Sequence, residues 1–290
     1  MSQETIEGLL KCLDEVIVRR ERDYQRIDSE YKREDGTVLS KKYDEYQRRK
    51  KAVTERADRE SVDCQLKLDE LCGKVRSKQP ALVDMKAGNL NGNGQLPRWI
   101  TLGKYHVRCE NLDFYVPKTF RFPFEKPMYI ADDSQSELLH KVLLRLMYAL
   151  PANKQEYYVF DPIGMGRSVW IFNQLFSNQK LFPQGKVMTT SAELKAALRD
   201  VSDYMGSLYS DFFNIGNDCP DWDSCNRRFH SQGSDEKMLP YKIFIFMDVP
   251  EEMDADCFAM FRKLMLHSAE CGFLVLFSFN GTLLEGEDSK

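Results

Sequence analysis

The chain has 290 residues, 42% of them hydrophobic and 30% charged, with a formal net charge of −4. That composition is typical of a soluble globular protein of one or two domains, long enough for a proper core and without an overall basic field to attract nucleic acid. It excludes a membrane protein of the helical kind, because no apolar run approaches the roughly 18–20 residues that a span requires.

The start, MSQETIEGLLKCLDE, carries charges throughout and lacks the pattern of a signal peptide, so a cytoplasmic location is expected. Residues 3–32 place Ile6, Leu10, Leu13, Ile17, Tyr24, Ile27 and Tyr31 in a 4–3 spacing, interrupted at Arg20. After the breaker REDGT, a second stripe carries Leu39, Tyr43, Tyr46, Val53, Ala57, Cys64, Leu68, Leu71 and Val75. Two amphipathic helices and a short turn predict an antiparallel coiled-coil hairpin over 1–76. Its charged stretch YQRRKKAVTERADRE reads as a solvated helix face. A second reading has 48–51 and 56–59 touching the phosphates of double-stranded DNA, against which the interleaved acids count. Residues 77–97 are rich in Gly, Asn and Pro and form the expected linker.

From Arg98 the pattern becomes α/β. WITLGKYHVRC and LDFYVPKTFRFPF suggest short strands around turns, and PMYIADD another. SQSELLHKVLLRLMYALP is a helix with Ser134 or Ser136 as N-cap and Pro151 as the stop. QEYYVFD is a strand, PIGMGRS a turn that opens the helix VWIFNQLF, and GKVMTT a further strand. A long helix capped by Ser191 follows, then the strand YKIFIFMDV, a helix over DADCFAMFRKLMLHSAE and the strand CGFLVLFSF. Alternating strands and helices predict a mostly parallel sheet over 98–290, covered on both faces, with central strands apolar throughout.

The eight cysteines show no CxxC pair and read as reduced, mostly buried thiols. Cys219 and Cys225 in CPDWDSC would need two more ligands to hold zinc, and His230 is the nearby candidate. His140 and His267 fall inside helices and read as packing or surface residues.

In an open parallel sheet, ligands bind beyond the carboxyl ends of the strands. Four groups fall there: 131–136, 161–166, Asp248, and 278–280. Asp161 and Asp248 each end an apolar strand. A carboxylate so placed can hold Mg²⁺, and it can equally well just end a strand and cap a turn. A phosphate cradle of the GxxxxGK[ST] kind is missing where it would be expected, since YIADDSQSELLHK has neither Gly nor Lys in its loop. Asp132 and Asp133 stand where phosphates would sit and would repel them. DPIGMGRS, with Gly164, Gly166 and Arg167 before a helix, could seat an anion, although glycines also serve such turns for backbone reasons alone.

The order of these pieces resembles the degenerate N-terminal ATPase-like module of FtsK/SpoIIIE-type DNA translocases. The hairpin is followed by LPRWITLGKYHV, LLRLMYALP, YYVFDPIGMGRSVWIFNQL, PYKIFIFMDVPEEM and CGFLVLFSFN. The FxDPxGLG-like motif comprises Phe160, Asp161, Pro162, Ile163, Gly164, Met165 and Gly166. The resemblance covers roughly residues 95–280. It implies a P-loop NTPase-like (RecA/FtsK-like) sheet, with Asp248 matching the Walker B position and Glu251 a looser candidate for the neighbouring acid. Walker A residues have no counterpart.

The function implied is a pseudo-ATPase module, an interaction or regulatory part of a DNA-translocating assembly, with the hairpin docking a protein partner or a second subunit. One alternative is an active ATP- and Mg²⁺-binding subunit whose site a neighbour completes, with Arg145, Arg167 or Lys242 supplying positive charge. Another is a coiled-coil scaffold without nucleotide. A separate complete ATPase subunit, DNA and oligomerisation are the partners and states these readings expect. Ending at Lys290, the sequence fits either the front part of such a machine or a stand-alone adaptor.

Overall fold

The computed structural model describes residues 3–33, 36–38, 40–78, 96–109, 112–130, 135–213 and 219–279. The chain divides into two compact units, one of residues 1–80 with 103–118 and the other of 81–102 with 119–290.

In the first unit, α1 (Gln3–Tyr31) and α2 (Tyr43–Lys78) form the hairpin. Tyr31 meets Tyr46 with ring centroids 6.1 Å apart, Arg19 meets Glu60 at 3.0 Å, and Cys12 meets Cys64 at 3.6 Å, so the helices run antiparallel. Ile6, Leu13, Ile27, Tyr31, Tyr46, Ala57, Cys64 and Leu68 are buried as the stripes predict. Val16 and Cys72 join them, while Ile17 is only half-buried and Tyr43 is exposed. Helical pitch explains these shifts: over three turns the 3.6-residue period drifts away from a 3.5-residue stripe. Leu39 lies outside the described residues.

The basic stretch of α2 is largely neutralised. Arg49 pairs with Glu30, Lys50 with Asp28 at 2.8 Å, and Arg56 with Glu60 at 2.9 Å. Lys32 and Lys50 hold the Asp28 carboxyl down at about 2.

The segments read as short strands form a two-stranded ribbon of β1 (Trp99–Cys109) and β2 (Leu112–Arg121). Within the first unit, Val107, Phe114 and Val116 of this ribbon pack with Ile6, Leu68 and Cys72.

The second unit is α/β. Its sheet contains β3 (Met128–Tyr129), β4 (Gln155–Phe160), β5 (Tyr241–Val249) and β6 (Phe273–Phe279), in the order β3-β6-β5-β4 and parallel throughout. Around it lie α3 (Gln135–Ala149), a 3-10 helix Arg167–Leu175, α4 (Ser191–Asp211), α5 (Trp222–Ser231) and α6 (Ala255–His267). Nearly every residue of β4, β5 and β6 is buried, as expected for parallel strands covered on both faces. Register is set at Phe160 opposite Phe246 and Phe246 opposite Phe277.

Three local expectations change, and one helix is added. GKVMTT is not a strand: Met188 makes one parallel bridge to Phe160 before the chain turns into α4. The cap of α4 is Thr190 instead of Ser191, in a reciprocal capping box with Glu193. VWIFNQLF is 3-10, with a kink at Val169. CPDWDSCNRRFHS contains a helix, α5, which starts at its N-cap Asp221 and buries Trp222, Cys225 and Asn226 on one face.

Candidate functional site

The site lies at the carboxyl ends of β4, β5 and β6. Asp161 follows β4 directly and is almost fully buried. Its carboxylate accepts four hydrogen bonds from its own turn. They come from the N–H of Gly164 at 2.9 Å, of Gly166 at 3.0 Å and of Ser168 at 3.2 Å, and from the Ser168 hydroxyl at 2.6 Å. The turn DPIGMGRS is therefore an anion cradle in form, and its anion is the side chain of Asp161.

The glycines are needed for that geometry. A Cβ on Gly164 would stand 2.5 Å from Asp161 Oδ1, and Gly166 has φ +88. Met165 also takes a positive φ, +52. The sequence left two uses open for these glycines, a seat for an external anion or the backbone of a tight turn; here they make room for the Asp161 carboxylate. The missed partner was Ser168, seven residues from Asp161, which no local spacing rule connects to it.

Asp248 occupies the matching place on β5. The pairing of β5 with β6 slips between Phe246 and Val249, and Asp248 takes φ +57, a left-handed conformation uncommon for a residue with a side chain. Its N–H donates to the Oγ of Ser278, a fully buried residue of β6, at 2.9 Å. The N–H of Glu251 donates to the Asp248 carbonyl at 2.9 Å. Burial first, then the neighbouring charges of Asp161 and Glu251, push the Asp248 carboxyl above the ordinary carboxylate range. Among the described residues no Lys or Arg forms an ion pair with Asp161 or Asp248. No group of three or more His, Cys, Asp or Glu there is placed to hold a metal ion.

The candidate cations separate. Arg167 is exposed on the cradle turn. Arg145 is buried, and burial lowers its pKa. Lys242 is the second residue of β5 and Asp248 the eighth, so about 20 Å of strand separates them at roughly 3.3 Å per residue. Lys242 instead pairs with Glu156, its register partner on β4. It cannot supply charge at the carboxyl edge.

Ser134 lies outside the described residues, as does the side chain of Ser136, which sits in the first turn of α3. His140 packs edge-on against Trp170 and Phe172, and His267 lies near Glu270 at 3.5 Å. His230 Nδ1 pairs with Asp235 at 2.8 Å. Among the described residues no helix is long and apolar enough to cross a membrane.

No protein-family model matches the chain. No curated protein matches it either. Among solved structures, the cytoplasmic domain of the Thermomonospora curvata type VII secretion ATPase EccC is similar, with a TM-score of 0.42 and 11% identity, over 71% of this chain and 21% of that chain.

Proposed function

We propose that residues 98–290 are a pseudo-ATPase module of the FtsK/SpoIIIE kind, an interaction or regulatory part of a DNA-translocating assembly, and that the hairpin of 1–76 docks its protein partner. One observation carries the "pseudo" part. Asp161 fills the glycine turn at the carboxyl edge, so three N–H donors and a hydroxyl that could meet a phosphate are already taken. The loop after β3 offers Asp132 and Asp133 in place of Gly and Lys. Phosphoryl transfer depends on positioned positive charge and backbone donors around the phosphates. A carboxylate in the cradle works against both.

A second reading draws support from Asp248. Its carboxyl is raised by burial and by two neighbouring acids, an arrangement that a divalent cation would relieve. In that reading a neighbouring subunit completes an ATP–Mg²⁺ site, with Arg167 the cation this chain contributes.

The test is calorimetric titration of ATP with Mg²⁺ into the wild-type chain and into Asp248→Ala. The pseudo-ATPase reading expects no binding at millimolar ATP. Micromolar binding that the substitution abolishes would overturn it in favour of the second reading.

A further inference from the structure

A second feature lies at the opposite end of the strands. The side-chain amide of Asn226 on α5 bonds both the N–H and the carbonyl of Leu239, each at 2.8 Å, just before β5 begins. Trp222 packs on Tyr241, the first residue of β5, with ring centroids 4.5 Å apart. The first half of α5 therefore sits beside the amino end of β5, and its last turn runs on toward Asp235, which pairs with His230. Along the second half of α5 an open groove of about 630 Å³ is lined by Leu96, Arg98, Arg227, Arg228, His230 and Ser231. Among the described residues no carboxylate lines it, while Asp223 pairs with Arg227 and Asp235 with His230.

We propose that this groove binds a compound bearing two or more phosphates. The inference stands apart from the carboxyl-edge site and does not rest on the pseudo-ATPase reading.

Three observations carry it. First, cations in the last turn of a helix complement its dipole, which accounts for Arg228 and His230 but not for Arg98, contributed by a different segment. Second, the walls are fixed to each other. Arg227 donates Nε to Asp223 at 2.7 Å and Nη2 to the Pro97 carbonyl at 3.1 Å, which ties α5 to the residue before Arg98. Third, Arg98 and Arg228 are exposed, and among the described residues neither forms an ion pair with a carboxylate. Guanidinium forks match phosphate oxygens two at a time. The volume exceeds that of a single phosphate, falls in the range of small-molecule sites, and has Leu96 as an apolar wall.

The experiment titrates inorganic pyrophosphate into the full chain, and into Arg98→Gln, Arg228→Gln and the double variant, by calorimetry at two salt concentrations. Citrate serves as a parallel polyanion. The expected result is saturable binding that weakens with salt and falls about tenfold for each arginine removed. Both positions are exposed, so circular dichroism should show unchanged folding. The salt dependence of the wild type gives a readout that needs no variant. Failure to bind pyrophosphate at millimolar concentration overturns the proposal, as does binding that the double variant retains. Citrate binding as tightly as pyrophosphate overturns the phosphate assignment.

Discussion

Replacing Asp161 with alanine removes the acceptor of four hydrogen bonds in a buried turn and leaves three N–H groups and the Ser168 hydroxyl without it. Each hydrogen bond to a charged group contributes about 1.5–3 kcal/mol, but the four share one carboxylate and water can enter the vacated space, so they do not add. Removing one side of a buried charged network typically costs about 3–5 kcal/mol, and a loss near 4 is expected here. The assay is urea unfolding followed by tryptophan fluorescence. All three tryptophans, Trp99, Trp170 and Trp222, belong to the second unit, so the signal isolates it. With a slope of about 2 kcal/mol per molar urea, the midpoint should fall by about 2 M. Asp161→Asn keeps one carbonyl acceptor and should lose roughly half as much. A fall below about 0.5 M in the alanine variant would refute the view that the turn is built around this carboxylate.

Gly272 has φ +68, and a Cβ there would stand 2.1 Å from Trp222, a fully buried residue. Gly272→Ala should therefore cost about 2–4 kcal/mol, read from the same unfolding curve. Lys186 and the N–H groups of Thr189 and Thr190 hold the Glu193 carboxyl down at about 2, below its ordinary 4.5. A depressed acid adds stability above its unfolded pKa and loses it as pH falls, so Glu193→Gln should destabilise at neutral pH by about 1 kcal/mol. The gap to wild type should close between about pH 4.5 and 2 in thermal melts. In the hairpin, the Sγ atoms of Cys12 and Cys64 lie 3.6 Å apart, with Cys12 exposed and Cys64 buried. Oxidised glutathione should join them by two thiol–disulfide exchanges, releasing two reduced glutathione molecules, with Cys12 reacting first because burial pushes the Cys64 thiol up to about 11. Peptide mapping without reductant should find the linked pair, and persistent glutathione on Cys12 alone would contradict the geometry.

Much of this fold was legible because its signals are local. The two stripes of the hairpin and the apolar runs of β4, β5 and β6 each carry their own period or length. The caps, the short pieces and the partners were less legible. Thr190 and Ser191 are adjacent and both can cap, and the choice followed from which one Glu193 could reach back to. CPDWDSCNRRFHS hid α5, because ten residues of mixed charge give little periodicity until Tyr241 and Leu239 supply the surface that buries Trp222 and Asn226.

The site divides in the same way. In the sequence Asp161, Gly164, Gly166 and Asp248 stand where apolar runs end, because a run buried on both faces stops where polar side chains meet water or a turn. Only the tertiary structure decided what those residues do there. The cradle points its N–H groups at Asp161 because the turn folds back over seven residues onto Ser168. Lys242 was ruled out of the edge by the extended rise of its own strand. The groove of Arg98, Arg227 and Arg228 joins segments some 130 positions apart. Periodicity reports which face of an element is buried, whereas charge and hydrogen-bond partners are set by which elements meet in space.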